Sequence, residues 1–267
     1  MTPSISINTL CLPPAPFAAK VERVARLGAT AISPDLLDFA DCTPEAAARA
    51  LRHAGLSIAA LTHRAFGFAT PELAAAGRER LYASLELAQA IGAPALCMTT
   101  GGRGDLEWTT AAARFAEEIA PCVERARAAG VALGVEPTSH LYADASIVHR
   151  LSDLVAVARQ ARVSIGMDLF PCWMDADIEQ AIAAAGPLTA FVQVSDYVLG
   201  DRGLPCRAVP GDGAAQLERL IAAILASGFR GPFDIEVIGP RLVAEGEDAG
   251  LSRAMTNLQG MIERGTA

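Results

Sequence analysis

The hydrophobic pattern divides the chain into two kinds of segment that alternate from end to end. Short runs rich in Val, Ile and Leu are typical of strands buried on both faces of a parallel sheet, and longer segments rich in Ala, Leu, Arg and Glu are typical of the connecting helices. Eight such units can be counted. The predicted strands are SISIN from Ser4, TAISP from Thr30, SIAALT from Ser57, PALCMT from Pro94, VALGVE from Val131, VSIGMD from Val163, AFVQVS from Ala190 and FDIEVI from Phe233.

Helical patterns fill the intervals between these strands, and several of them end at a glycine that leads directly into the next strand. Glycine just after a helix accepts the left-handed conformation that stops it, so Gly28, Gly55, Gly92, Gly130 and Gly228 predict helix ends. The predicted helices are Phe17 to Leu27, Pro44 to His53, Ala75 to Ile91, Thr109 to Ala129, Ser146 to Ala158, Ile178 to Ala184, Ala214 to Ser227 and a last one from Leu251.

The repeated unit predicts an α/β protein, a single (β/α)8 TIM barrel over residues 1–267. No low-complexity tract or Pro/Ser-rich linker marks a domain boundary, and 267 residues with 52% hydrophobic content suit one large compact domain. The alternative, an open doubly wound sheet, is disfavoured because no GxGxxG follows the first strand.

Composition indicates the cellular environment of the protein and the classes of partner that it can bind. The amino terminus lacks a basic region followed by an apolar core, and no later run reaches the roughly 18 apolar residues of a membrane span, which predicts a soluble, cytoplasmic protein without a membrane partner. Six cysteines without a CxxC pair are predicted to be reduced and mostly buried. A net charge of -8 argues against nucleic acid, because phosphate contacts need clustered Lys and Arg.

Polar residues stand at the ends of the fifth to eighth predicted strands, where barrel enzymes place their chemistry. These residues are Glu136, Asp168, Gln193 and Glu236. A buried carboxylate is costly unless it is paired or bound to metal, and a divalent cation would offset the repulsion among three of them. Each residue alone is equally well explained as a strand cap bonded to a loop amide, but recurrence in four consecutive strands favours one shared metal site.

Five motifs give the chain a resemblance to a known family. They are GVEPTSH at Gly134, IGMDLF at Ile165, VQVSDY at Val192, RAVPGDG at Arg207 and FDIEVIG at Phe233. The chain resembles the xylose isomerase-like TIM barrel superfamily, which contains sugar isomerases and epimerases, hydroxypyruvate isomerase, inosose dehydratase and the endonuclease IV type of repair enzyme. The resemblance implies that Glu136, Asp168, Gln193 and Glu236 bind one divalent metal ion. Mn or Mg is favoured, because Gln193 supplies an oxygen where many members carry His.

The resemblance further implies that Glu136 and Glu236 are the catalytic acid and base of a metal-dependent isomerase or epimerase. Such an enzyme removes a proton next to a carbonyl of a sugar-like or hydroxycarbonyl substrate. A dehydratase acting on a keto-polyol would use the same metal and base, and the sequence does not separate the two reactions. Pro171 stands where sugar epimerases usually carry a substrate-contacting His, which argues against a simple monosaccharide.

The sequence disfavours two other classes of function. A nuclease of the endonuclease IV type needs many His ligands for three metals, and four His in the whole chain argue against it. A barrel that binds a small molecule without catalysis is the remaining alternative, and the four ligand-type residues speak against it. A small-molecule substrate is therefore the expected partner. A homo-oligomer is compatible with the fold, since barrels of this sort often pair through helices or loops.

Further residues are predicted to bind substrate at the mouth of the barrel. His63 ends the third predicted strand, His140 follows Glu136 in a loop, and Arg207 precedes a PGDG turn expected to lie over the substrate. Trp108 and Trp173 are predicted to form aromatic walls, with Phe66, Phe68 and Phe170 nearby. The alternatives remain open: His63 bonds a loop carbonyl, the aromatics cover the barrel end, and PGDG is a surface turn. His53 and His149 are expected at the surface. Arg202 and Arg241 follow the seventh and eighth predicted strands, where barrels often bind anions, although surface solvation is the favoured interpretation of both.

Overall fold

The computed structural model describes residues 3–266 as a parallel barrel surrounded by helices. Nine strands are hydrogen-bonded in the order β3-β2-β1-β9-β8-β7-β6-β5-β4. They are β1 Ile5–Asn8, β2 Ala31–Ser33, β3 Ser57–Ile58, β4 Leu61–Thr62, β5 Ala95–Met98, β6 Ala132–Val135, β7 Ser164–Asp168, β8 Thr189–Val194 and β9 Phe233–Ile235. All eight predicted strands are confirmed to within about two residues at each end, apart from the last, which ends earlier.

The first and last strands of this order, β3 and β4, together occupy one of the eight strand positions of the barrel. The third predicted strand is interrupted at Ala59–Ala60, so that β3 pairs with β2 and β4 pairs with β5. The main chain continues the pairing across the interruption, with Ala59 N donating to Ile32 O at 3.0 Å and Thr62 N donating to Pro34 O at 2.9 Å. The nine strands therefore fill eight positions of a closed barrel, as the sequence predicts.

Helices cover the outside of the sheet. They are α1 Phe17–Arg26, α2 Pro44–Ala54, α3 Pro71–Ile91, α4 Trp108–Ala129, α5 Leu151–Ala161, α6 Leu169–Cys172, α7 Ile178–Ala185, α8 Leu217–Ala226, α9 Pro240–Glu245 and α10 Glu247–Thr266. The five glycines predicted to end helices all have φ between 69° and 90°. No helix within residues 3–266 is long and apolar enough to cross a membrane.

Three helix starts differ from the prediction by four or five residues, and α8 begins three residues later than predicted, at Leu217. Helix α3 begins earlier, because the Thr70 side chain accepts a hydrogen bond from Leu73 N and caps it. Helix α5 begins only at Leu151, because Ser146 is fixed in a loop by hydrogen bonds with Thr100 and Val148. The last predicted helix begins at Glu247 and is preceded by a separate short helix, α9.

Small side chains around one phenylalanine fill the inside of the barrel. The buried residues Ala60, Ala95, Cys97 and Phe191 pack together, separately from the larger core between the sheet and the helices. Gly166 faces this cluster, since a Cβ built there would lie 2.5 Å from Cys97 Sγ and 2.9 Å from Phe191 Cζ. Glycine at this position therefore makes room for the Phe191 ring. All six cysteines are free, and five of them are buried, which confirms that prediction.

Replacement of Gly166 by Ala is expected to lower the free energy of unfolding by about 2–3 kcal/mol, because the added methyl overfills the barrel interior. Urea unfolding of the purified variant measures the change. Gly134→Ala is the matched control on the neighbouring strand, since its Cβ would meet no atom closer than 3.6 Å. Equal losses in the two variants would contradict the packing argument.

Candidate metal and active site

The four polar residues predicted for the metal site lie together at the carboxyl ends of neighbouring strands. Asp168 ends β7 and Gln193 lies beside it in β8, while Glu136 and Glu236 directly follow β6 and β9. Asp168, Gln193 and Glu236 are buried, and Glu136 is half-buried. The strand register thus brings the four residues to one end of the barrel, which is the end where such barrels carry their chemistry.

Hydrogen bonds connect these side chains to one another and to Arg207. Gln193 Nε2 donates to Glu236 Oε2 at 2.5 Å, which leaves Gln193 Oε1 buried without a partner. Arg207 donates two bonds to the carboxylate of Asp168, at 3.0 Å and 2.6 Å, and its Nη2 lies 3.8 Å from Glu236 Oε2. The guanidinium therefore lies between two of the three carboxylates, where its charge offsets part of theirs.

Burial at the site disfavours the charged forms of Glu136 and Glu236 and raises their pKa values. Burial raises the pKa of Glu136 to about 7, and the charge of Asp168 acts in the same direction while Arg207 opposes it. Burial also raises the pKa of Glu236 well above its ordinary value, against the lowering effect of Arg207. A carboxylate with a raised pKa exchanges a proton readily near neutral pH, which is what general acid–base chemistry requires.

The residues present fit a divalent cation by their chemistry. Three carboxylates and an amide oxygen form the oxygen-rich set that Mg²⁺ and Mn²⁺ prefer, and Gln193 Oε1 is a buried acceptor that no protein group satisfies. Among residues 3–266, the His, Cys, Asp and Glu side chains do not by themselves form a group of three at metal-binding distance. The fit to a cation is thus one of donor chemistry, with Asp168 and Glu236 now close to the guanidinium of Arg207.

A cavity of about 330 Å³ opens directly onto this cluster. Glu136, Asp168, Glu236 and Arg207 form its floor, and Arg64 lies on its wall. The remaining lining residues are mostly apolar and include Leu10, Pro137, Tyr142, Phe170, Pro171, Leu204 and Ile238. The volume is at the small end of the range for ligand sites, which favours a small substrate.

Arg207 is held in the cavity by main-chain pairing rather than by the turn that follows it. Ala208 and Asp196 exchange two backbone hydrogen bonds of 2.8 Å, and Arg207 N donates to Ile238 O at 3.0 Å. The PGDG turn folds around the buried Asp196 carboxylate, which accepts hydrogen bonds from Gly211 N and Gly213 N. The predicted place of the turn over the substrate is therefore corrected: its glycines allow close approach to Asp196, and Arg207 alone reaches the cavity.

The predicted orientation of His63 toward the mouth is wrong. His63 is buried between β4 and α3, where its Nδ1 lies 3.0 Å from Ser84 Oγ, and it does not line the cavity. The alternation of side chains along a strand explains the error, because adjacent residues point to opposite faces. Burial, with help from Arg80 and Arg64, lowers the pKa of His63 to about 4.

The low pKa of His63 predicts a specific loss of stability in acid. The unfolded chain binds a proton at His63 below about pH 6.5 while the folded chain does not, so stability falls as the pH decreases toward 4. Between about pH 7.5 and about pH 5, the free energy of unfolding should fall by about 2 kcal/mol more in the wild type than in His63→Gln. Urea unfolding at both pH values tests this, with His53→Gln on the exposed face of α2 as control. Parallel pH profiles of wild type and His63→Gln would contradict it.

Among the aromatic residues predicted at the mouth, only Phe170 lines the cavity. Trp108 Nε1 donates to Ile147 O at 2.8 Å at the start of α4, and Trp173 packs against Tyr197. His140 is exposed in a short 3-10 turn outside the lining, although the neighbouring Ser139 and Tyr142 do line the cavity. Phe66 and Phe68 are fully buried around Phe115. Loop residues after a strand have no fixed direction in the sequence, so the sequence could not place these side chains.

Sequence reasoning missed a further buried carboxylate on the strand that precedes Glu236. Asp234 accepts hydrogen bonds from Ser6 Oγ at 2.5 Å, Ser33 Oγ at 2.7 Å and Asn8 Nδ2 at 3.1 Å. Burial raises its pKa to about 6, and these three donors limit the shift. The signal was present, because Asp234 is two residues from Glu236 and so faces the same side of the strand.

The fold and cavity together define a TIM barrel with an acidic site at the carboxyl ends of its strands. A model of the xylose isomerase-like TIM barrel family matches residues 21–259, and the chain belongs to this family. No curated protein sequence matches it.

Three solved structures illustrate the likeness. Protein SMc04130 from Sinorhizobium meliloti 1021 is 25% identical, with a TM-score of 0.83 and coverage of 98% of both chains. IolI, solved with a bound zinc atom, is 14% identical, with a TM-score of 0.86 and coverage of 98% of both chains. L-ribulose 3-epimerase is 17% identical, with a TM-score of 0.81 and coverage of 99% of this chain and 96% of its own. The last two show that the fold is shared.

Proposed function

We propose that this protein is a divalent-metal-dependent isomerase or epimerase that moves a proton next to a carbonyl of a small sugar-like or hydroxycarbonyl substrate. The observation that carries the proposal is the pair Glu136 and Glu236. These two carboxylates directly follow β6 and β9, on either side of the strands of Asp168 and Gln193, and both have raised pKa values and line one cavity. Their positions suit an acid and a base that work on the two faces of one carbon.

Glu136, Asp168, Gln193 and Glu236 would hold the metal ion, with Mg or Mn favoured by the all-oxygen donor set. When bound, the ion supplies Lewis-acid polarisation of the carbonyl and so makes the neighbouring carbon more acidic. Arg207 donates to Asp168 and orients that carboxylate, while one edge of its guanidinium faces the cavity. Two structural relatives support a metal and an epimerisation: IolI was solved with a bound zinc atom, and another relative is named L-ribulose 3-epimerase.

The apolar part of the cavity lining keeps water away from the reacting carbon. Phe170, Pro171 and Ile238 surround the acidic floor, and the Phe170 ring lies 4.7 Å from the Arg207 guanidinium carbon. A dry surrounding strengthens the electrostatic effect of each charged group on the substrate. Proton transfer therefore falls to Glu136 and Glu236.

Solvent isotope exchange tests the proposal directly. The full chain, loaded in turn with Mg²⁺ and Mn²⁺, is incubated in heavy water with ketoses, inososes and keto-acids, and deuterium uptake is followed by NMR. We expect uptake at one carbon next to a carbonyl, dependent on added metal, with an epimer or isomer as product. An unsaturated product would indicate loss of water and a lyase instead. Absence of uptake from every substrate, together with no gain in thermal stability on adding metal, would overturn the proposal.

A further inference from the structure

A second arginine stands across the cavity from the proposed metal site. Arg64 follows β4, the third position of the barrel, whereas Gln193 of the proposed metal site lies in β8, the seventh position. Positions three and seven of an eight-position barrel lie on opposite walls. Because Arg64 lines the same cavity as Glu136, Asp168 and Glu236, a substrate held at the acidic floor would extend toward Arg64.

The anchor of Arg64 is a buried carboxylate that fixes its direction. Arg64 Nη2 donates to Asp35 Oδ1 at 2.9 Å, and the same oxygen accepts a hydrogen bond from Leu37 N. The side chain of Asp35 is 4% exposed, whereas that of Arg64 is 53% exposed. Asp35 Oδ2 is buried without a partner. The ion pair therefore involves a single guanidinium nitrogen, Nη2, and leaves the other N–H donors of Arg64 free.

The two arginines that line the cavity differ in the number of hydrogen bonds that they make to the protein. Arg207 is engaged by Asp168 and Ser195, and its plane stacks on Phe170. Arg64 makes a single hydrogen bond to the protein and keeps most of its N–H donors free. An anionic group on a ligand would therefore find its partner at Arg64.

The chemistry of this wall favours a carboxylate over a phosphate. A guanidinium fork matches the planar carboxylate with two parallel hydrogen bonds, and the donors that Asp35 leaves free on Arg64 are enough for one such pair. A tetrahedral phosphate dianion would call for further donors, and the only other basic residue among those lining the cavity, Arg207, already donates to Asp168 and Ser195. At the floor, the charges of the carboxylates would offset those of the cation and Arg207, so the ligand carboxylate is assigned to Arg64.

We infer that Arg64, oriented by Asp35, forms a carboxylate-binding subsite, and that the substrate is a small hydroxycarbonyl acid whose carboxylate lies opposite the reacting carbon. The inference rests on the proposed function, because it assigns the substrate class of the same cavity. In this arrangement Arg64 determines specificity, and Asp35 is a positioning residue that acts through it.

Three ligands with one carbon skeleton test the subsite by binding alone. D-glycerate, glycerol and glycerol 3-phosphate are titrated into the Mg²⁺-loaded full chain, and affinity is measured by ligand-observed NMR. D-glycerate should bind most tightly, and Arg64→Gln should weaken it by about 10-fold or more, as expected for charge-assisted hydrogen bonds. Arg64→Lys, which keeps the charge but not the fork, should fall between. Glycerol should be unaffected by either change.

The control variant is Arg241→Gln, which removes an arginine paired with Asp201 outside the cavity. It should bind D-glycerate like the wild type. Equal D-glycerate affinity in wild type and Arg64→Gln would overturn the inference, since the carboxylate would then bind elsewhere, for instance at the metal. D-glycerate binding no tighter than glycerol, or an Arg64-dependent preference for glycerol 3-phosphate, would overturn it too.

The two proposals fail in different ways. Metal-dependent deuterium uptake into a neutral sugar, unaffected by Arg64→Gln, would retain the proposed function and overturn the subsite. Arg64-dependent binding of D-glycerate without deuterium uptake from any hydroxycarbonyl acid would retain the subsite and overturn the proposed function.

Discussion

Replacement of Glu236 by Gln is expected to slow deuterium uptake into the substrate by at least about 10³-fold while the protein keeps its metal. Glutamine retains an oxygen that can bind a cation, but it does not accept a proton at neutral pH. Glu236 is 7% exposed and borders the cavity, so no solvent base can readily take its place. The measurement is NMR of the exchanging carbon in heavy water, with metal content determined on the same sample.

Glu136→Gln is the matched comparison, because it makes the same chemical change on the other side of the site. If Glu236 removes the proton and Glu136 returns it to the opposite face, the Glu136 variant keeps deuterium uptake but loses the epimeric product. The Glu236 variant loses both. Wild-type exchange in a Glu236 variant that still contains metal would show that another group is the base.

The barrel and its acidic end could be predicted because both follow from regular periodicities. Strands buried on both faces are apolar throughout, so a polar residue at the end of such a strand is conspicuous. Glycines such as Gly92 and Gly130 mark helix ends wherever a left-handed residue is needed. The glycines end five of the predicted helices and the polar residues end four consecutive strands, and together they predicted the barrel and the end at which Glu136, Asp168, Gln193 and Glu236 meet.

Features that depend on side-chain direction in irregular segments could not be predicted in the same way. His63 lies one residue beyond β4, and its side chain points to the opposite face of the sheet from the one expected, where it packs against Ser84. Asp35 and Arg64 come from loops after two different strands, and no spacing in the sequence relates them. A long side chain such as Arg207 reaches its partners through several rotatable bonds. Its position among the carboxylates therefore depends on how the loop folds and could not be derived from the sequence.

Arg207→Gln is expected to destabilise the metal-free protein by about 3 kcal/mol or more near pH 8, because it leaves two buried carboxylates and the half-buried Glu136 without their nearest positive charge. The loss should shrink toward about pH 5. Glu136 and Glu236 have raised pKa values in the folded state, so they bind protons there before the unfolded chain does, and this uptake relieves the repulsion as the pH falls. Urea unfolding in the presence of a chelator measures both quantities.

A bound cation should restore the stability that the Arg207→Gln variant loses. Excess Mg²⁺ or Mn²⁺ in place of the chelator should raise the unfolding midpoint of Arg207→Gln more than that of the wild type, since the ion would then carry the charge that the guanidinium supplied. Arg241→Gln breaks an equally close pair with Asp201 at a half-exposed position, and it should cost less than about 1 kcal/mol. A loss that is the same near pH 5 and pH 8, or that metal does not reduce, would mean that Arg207 stabilises the barrel by packing and not by its charge.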